Sequence, residues 1–147
     1  MTTVKSILEL KGNTAHHIDP NATIREALQV LADHNLGALL VMAGDKIEGI
    51  VSERDYALKV AATGNLCLDH PVKDIMSHPV YFISPEDSLD TCMALMNARQ
   101  IRHLPVLEGN QLVGMISIRD LVRSIISEKN TTIKGLENYI IGRQIVY

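Results

Sequence analysis

The chain contains itself twice. Sliding the sequence by 65 positions lays residues 16–62 on 81–127 without a gap, and Ile18, Pro20, Leu39, Val41, Gly44, Gly49, Ser52, Arg54 and Asp55 recur as Ile83, Pro85, Leu104, Val106, Gly109, Gly114, Ser117, Arg119 and Asp120. A repeated unit of this length has to bury the same apolar face twice, and two copies stacked on each other bury both at once. Identities concentrate in Gly49-Ile-Val-Ser52-Glu-Arg54-Asp55 against Gly114-Met-Ile-Ser117-Ile-Arg119-Asp120, each lying between a strand-like and a helix-like run. A shorter echo precedes each copy: Val4-Lys5-Ser6-Ile7-Leu8 against Val72-Lys73-Asp74-Ile75-Met76. Its offset is 68, so the first copy carries three more residues ahead of its first strand.

Local patterns give each copy the order β-α-β-β-α. Residues 4–11 have the spacing of a short amphipathic helix ended by Gly12-Asn13, and His16-His17-Ile18 reads as a brief strand. Thr23 with Glu26 three residues on forms a capping box, followed by Ile24, Ala27, Leu28, Leu31 and Ala32 at helical spacing. Ala38 to Met42 is an almost fully apolar strand, Gly44-Asp45 a turn, 46–51 a second strand, and Ser52 the cap of a helix over 53–62. In the second copy the matching elements are a short strand at 80–83, a helix from Ser88 capped towards Thr91, strands at 104–107 and 111–116 around Gly109-Asn110, and a helix over 118–128.

The expected fold is α+β, two such repeats packed about a pseudo-twofold axis. The division is 1–68 for the first repeat with its N-terminal helix, 69–129 for the second, and 130–147 for a C-terminal helix and tail. That last helix, Thr131 to Gly142, sets Ile133, Leu136, Tyr139 and Ile140 on one face, to be covered by the rest of the chain or by a second subunit.

Composition narrows the function classes. Apolar residues make up 46% of the chain, but they include one Phe, four Tyr and no Trp, so the core is aliphatic, as suits helices on sheets. Met93, Met96 and Met115 read as part of that core. A net charge of −3 gives no general attraction to nucleic acid or to anionic lipid. No apolar run is long enough to span a bilayer, the N-terminus lacks a signal-peptide core, and Cys67 and Cys92 have neither framework nor CxxC spacing. Reduced thiols and a cytoplasmic location are expected. His16, His17, His70 and His78 lack the spacing of a metal site. No nucleophile has a neighbouring base and no glycine-rich phosphate loop is present, so no catalytic residues are assigned.

The repeated corner admits two readings. A Ser before a helix with a carboxylate three residues later is a capping-box variant, which accounts for the serine, the aspartate and the glycine before them. The same corner offers an anion free amides, a hydroxyl and the cation of Arg54 or Arg119, while the aspartate can hold ribose hydroxyls. From these residues alone the two readings weigh equally.

These motifs, together with Val72-Lys73-Asp74-Ile75-Met76-Ser77 and Ile101-Arg102-His103-Leu104-Pro105-Val106, resemble a tandem pair of CBS domains, a Bateman module. The resemblance covers nearly all of residues 4–129, and the compact length with the ending Leu136-Glu-Asn-Tyr-Ile-Ile-Gly142 is similar to the stand-alone CBS-pair proteins. It implies a non-catalytic regulatory module that binds an adenosyl ligand such as AMP, ADP, ATP, NAD or S-adenosylmethionine between the repeats. Asp55 and Asp120 are then expected on ribose, Ser52 and Ser117 on ribose or phosphate, and Arg54 and Arg119 on phosphate. His17-Ile18 and Phe82-Ile83 are expected to line the adenine slot. Arg102-His103 match phosphate-pairing positions, whereas the first copy has Gly37-Ala38 there, so two unequal sites are expected, an asymmetry that a dinucleotide such as NAD could exploit. A homodimer stacked through the long helices and an effector protein acted on in trans complete the implied function. The alternative is a constitutive interaction module with vestigial clefts.

Overall fold

The computed structural model describes residues 2–128. In chain order they form α1 (Val4–Lys11), β1 (His17–Ile18), α2 (Ile24–Asp33), β2 (Ala38–Ala43), β3 (Lys46–Ser52), α3 (Glu53–Thr63), a 3-10 turn (Val72–Asp74), α4 (Leu89–Arg99), β4 (His103–Glu108), β5 (Gln111–Ser117) and α5 (Ile118–Glu128). The helix expected over Thr131 to Gly142 lies outside the described residues.

Local chemistry sets most boundaries. Thr23 accepts the Glu26 amide while the Glu26 carboxylate accepts the Thr23 N–H, so two orphan donors of α2 are satisfied reciprocally. Ser88 caps α4 through the Thr91 amide. Helices α2 and α4 are followed by Asn35 and Gln100, equivalent residues that both turn with positive φ, 52° and 53°. Strands β2 and β3 pair antiparallel, as do β4 and β5, and each hairpin has its register shift at the same place, between Val41 and Met42 and between Val106 and Leu107. The duplication thus extends to backbone irregularities.

One expected strand shrinks. In the first repeat β1 adds parallel to β2, and the Leu40 N–H donates to the His16 carbonyl. At the equivalent position of β4 stands Pro105, which has no N–H to give. The segment expected as a strand over 80–83 therefore keeps only an isolated bridge, Ile83 against Val106, with the Ile83 N–H donating to Pro105 O and its carbonyl accepting the Leu107 N–H.

The repeats are joined by exchanged leaders. The apolar residues of α1, Val4, Ile7 and Leu8, belong to the core of the second repeat, with Leu89, Cys92, Met96, Leu104, Ile116 and Leu121. Val72 and Ile75 belong reciprocally to the core of the first, with Ile24, Leu31, Leu39, Val41 and Val51. Backbone bonds repeat the exchange: Val4 N to Asp87 O at 2.9 Å and Lys5 N to Pro85 O at 2.8 Å match Val72 N to Ala22 O at 2.7 Å and Lys73 N to Pro20 O at 3.1 Å. Burying each such side chain contributes roughly 1.5–3 kcal/mol, whereas a free helix as short as α1 is not stable in water.

The conserved-in-duplicate glycines mark these crossings. A Cβ on Gly114 would sit 2.7 Å from a Leu8 methyl, and one on Gly49 would sit 2.5 Å from the Met76 sulfur. Each glycine is the hole into which the other repeat's leader inserts a side chain.

Candidate functional site

Each repeated corner is a strand end, a capping serine and the first turn of a helix. At the first, the Asp55 carboxylate accepts the Ser52 N–H at 2.8 Å and the Ser52 hydroxyl at 3.0 Å, and the Asp55 amide returns to Ser52 Oγ at 3.3 Å. The second is the same to a tenth of an ångström: Asp120 accepts the Ser117 N–H at 2.8 Å and its hydroxyl at 3.0 Å, and the Asp120 amide meets Ser117 Oγ at 3.3 Å. The capping box expected from sequence is therefore present in both. In neither corner does it rule out ligand binding, because a carboxylate has acceptor sites beyond those the serine uses.

What meets each carboxylate from outside its corner differs. Ser77, just beyond the second leader, donates its hydroxyl to Asp55 Oδ1 at 2.9 Å. Its main chain pairs with Ile50, N–H to Ile50 O at 2.8 Å and O from Ile50 N–H at 3.0 Å. In the second corner Lys11, the last residue of α1, reaches Asp120 Oδ2 with its ammonium at 2.6 Å and donates to Met115 O at 2.7 Å. Met115 is the counterpart of Ile50, so one ammonium stands where the first corner uses a backbone amide and a hydroxyl. Neither Lys11 nor Ser77 was foreseen as a site residue. The signal that could have found them was the echo of the leaders, since residues leaving a leader that packs on the opposite repeat arrive at the opposite corner.

Electrostatics follow the asymmetry. Burial of Asp120 would raise its pKa, but the Lys11 ammonium and the Ser117 amide and hydroxyl outweigh that and hold it below the usual carboxylate range. His103 is lowered, chiefly by burial and further by Lys11 and Arg102, against the opposing pull of Asp120. Its ring lies against the other repeat, where a Cβ on Gly37 would come 3.0 Å from Nε2. Arg102 is brought to the same place by its carbonyl, which accepts the Ile118 N–H at the start of α5. The side chains of Arg54 and Arg119 are exposed and have no ion-pair partner among the described residues.

The residues expected around a base are scattered more widely. Ile83 is buried in the second core with both backbone groups used, and Ile18 packs against the first core, while His17 is exposed. Phe82 is 57% exposed and lines a cleft of about 760 Å³ with Met76, Pro79, Val80, Pro105 and Leu107. None of the serine, arginine or aspartate corner residues lines that cleft, so the structure does not join Phe82 to either corner. His16 stacks on His34 with ring centroids 4.3 Å apart. Both cysteines are free and buried, and no helix among the described residues is long and apolar enough to cross a membrane.

The CBS domain family model matches residues 13–61 and again 72–127. Over 150 aligned residues, 96% of this chain and 73% of the relative, the sequence is 32% identical to the mitochondrial CBS domain-containing protein CBSX3 of Arabidopsis thaliana. The solved structure of a protein with CBS domains from Burkholderia ambifaria superposes with a TM-score of 0.83 at 43% identity, covering 88% of this chain and 98% of that one. A CBS domain protein from Pyrobaculum aerophilum, solved complexed with AMP, is 31% identical with a TM-score of 0.70, over 81% of this chain and 89% of that one. With the repeat in the sequence, the duplicated corners and these likenesses in agreement, the chain belongs to the CBS domain family and carries two CBS domains in tandem.

Proposed function

We propose that this CBS pair is a non-catalytic regulatory module that binds an adenosyl nucleotide at the Ser-x-Arg-Asp corners and signals to a partner protein in trans from the cytoplasm. The observation that carries this reading is the doubled Ser–Asp corner, in a chain whose relative from Pyrobaculum aerophilum was solved with AMP. Asp55 and Asp120 take ribose hydroxyls. Ser52, Ser117, Arg54 and Arg119 support phosphate, and Arg102 and His103 strengthen the second corner alone. Of the residues expected at the adenine slot, His17 and Phe82 are exposed and remain its proposed wall, while Ile18 and Ile83 back it from the two cores. AMP, ATP and NAD are the first ligands to test.

Output in trans requires a surface that ligand can alter. Leu58 on α3 and Ile118 and Val122 on α5 are large apolar residues at 53%, 38% and 46% exposure, which supports a homodimer stacked through these helices. The competing reading is a constitutive interaction module, favoured by both carboxylates already having partners within the chain.

Thermal shift of nucleotide-stripped protein against adenine and guanine nucleotides, with Asp55→Ala and Asp120→Ala alongside, separates the two. A ligand at 100 times its Kd stabilises by about 2.7 kcal/mol. Stabilisation by adenosyl ligands that the Asp variants lose is the expected result. No shift with any nucleotide leaves the interaction module.

A further inference from the structure

Lys11 is an unusual partner for a carboxylate that is to hold a neutral diol. Its ammonium and Asp120 form an ion pair of 2.6 Å, with Asp120 only 12% exposed and Lys11 34%. Lys11 sits on Oδ2, the oxygen that also accepts Ser117, so a ligand claiming both oxygens of Asp120 through a ribose diol competes with a cation, and the displaced cation needs a new partner. Adenosine supplies none. A nucleoside phosphate does, within reach of a four-carbon side chain anchored at the end of α1.

The first corner has no such requirement. Ser77 meets Asp55 with a neutral hydroxyl, and its main chain is fixed to Ile50 by two hydrogen bonds. Its hydroxyl can turn away without uncovering a charge, but the backbone stays in place. At the second corner a side-chain rotation alone opens the carboxylate, at the cost of separating a charged pair. Around it stand Arg102, Arg119 and a His103 that faces both Lys11 and Asp120, so phosphate is favoured there by more than one group.

Resting on the nucleotide-binding reading above, we propose that Lys11 is the residue by which the second corner selects phosphorylated over unphosphorylated nucleosides. In the free protein it closes on Asp120; in the complex it passes to the ligand's phosphate. Because Lys11 ends α1, occupancy of this corner is also reported directly to that helix.

The test is the ratio of the Kd for adenosine to the Kd for AMP, measured by calorimetry in an Asp55→Ala background that leaves the second corner to be read alone. Lys11→Met keeps the aliphatic stem and removes the charge. It is expected to tighten adenosine, weaken AMP, and reduce the ratio at least about tenfold, as a desolvated charge contact to phosphate warrants. Lys11→Arg is expected to preserve the ratio, and a single cooperative melting transition without ligand checks that both variants fold. A ratio unchanged in Lys11→Met, with AMP binding still lost in Asp120→Ala, overturns the role of Lys11 and leaves the nucleotide site standing. AMP binding that is insensitive to Asp120→Ala, or absent, overturns both.

Discussion

The first corner is closed by the main chain and hydroxyl of Ser77, the second by the ammonium of Lys11. Both reach the equivalent carbonyls of Ile50 and Met115 and the equivalent aspartates, but Ser77 takes the Asp55 oxygen that Ser52 leaves free, whereas Lys11 shares Asp120 Oδ2 with Ser117. The serine and aspartate within the corners match in their distances, so divergence after duplication has fallen on what surrounds them, the segment brought in from the other repeat and the Arg102-His103 that replace Gly37-Ala38. A neutral, main-chain closure resists opening by geometry. A charged side-chain closure resists by electrostatics, and is therefore sensitive to what the incoming ligand carries. A duplicated site can thus acquire two specificities without a change in its motif.

The largest expected effect tests whether the leaders are equivalent parts of the two cores. Leu8→Ala removes a buried side chain from the second core and is expected to cost about 2–4 kcal/mol. Met76→Ala costs less, since Met76 is only partly buried against the first. Urea unfolding read by far-ultraviolet circular dichroism should show one transition shifted in each case. Two separated transitions would break the comparison, because the exchanged leaders would then not bind the repeats into one cooperative unit.

Glycine substitutions sharpen the same point. Gly114→Ala drives a Cβ to 2.7 Å from a methyl of Leu8, which is enclosed in the core, whereas Gly49→Ala meets Met76 Sδ at 2.5 Å and Cγ at 2.8 Å, on an unbranched and only partly buried side chain that can turn aside. Overpacking costs about 1–3 kcal/mol, with Gly114→Ala the worse of the two by denaturation midpoint. Equal losses would show that the holes are alike in tolerance as well as in shape.

Capping gives a smaller contrast. The double change Thr23→Ala with Glu26→Ala removes both halves of a capping box and is expected to cost about 1 kcal/mol; Ser88→Ala removes the acceptor of the Thr91 amide and a hydroxyl contact to Thr91 and should cost about half that. Calorimetric melting of the two variants decides the order.

The smallest effect is in pH. Folding lowers the pKa of His103, so the native state favours its neutral form; the associated stability is complete above the ordinary value of 6.5 and is lost as pH falls towards the lowered one. His103→Gln should therefore flatten the loss of stability between about pH 7 and pH 5. His16, lowered by burial and by His34 and His17, contributes with the same sign in the first repeat. Asp120 acts only lower, because its stabilisation is present above the ordinary 3.8 and disappears as pH falls through a value beneath it. An unchanged acid slope in His103→Gln would place the burial cost of the second corner elsewhere. Cys92 stays outside this range, its thiol pushed up to about 11 by burial and by Asp87.

Much of this was legible in the sequence because the decisive interactions are local. The caps at Thr23, Ser52, Ser88 and Ser117 need only a hydroxyl and its neighbours three residues on, and all four form. Alternation and apolar runs place β2 to β5, whose burial follows the same order in β3 and β5 residue by residue. The strand expected at 80–83 failed for a non-local reason, a proline across the ladder at 105. Lys11 and Ser77 were invisible because a side chain at the end of a leader carries no local mark of the repeat on which that leader packs. Likewise Ile83, apolar and next to an exposed Phe82, looks available to a ligand until the core claims it.

The exchanged leaders also set an order of events during synthesis. Lys11 and Asp120 are separated by 109 residues, so α1 leaves the ribosome long before the strands and helix that cover it exist. At about 5–20 residues per second that interval is on the order of 5–20 s. For that time Val4, Ile7 and Leu8 have no seat, whereas the first repeat waits only until Val72 and Ile75 are made for the side chains that fill its core. The nascent α1 is thus a free leader for much of synthesis, and the second repeat of a neighbouring chain on the same message offers it an equivalent seat. An architecture of exchanged leaders therefore makes the time between translation of α1 and of its seat the window in which exchange between chains competes with closure.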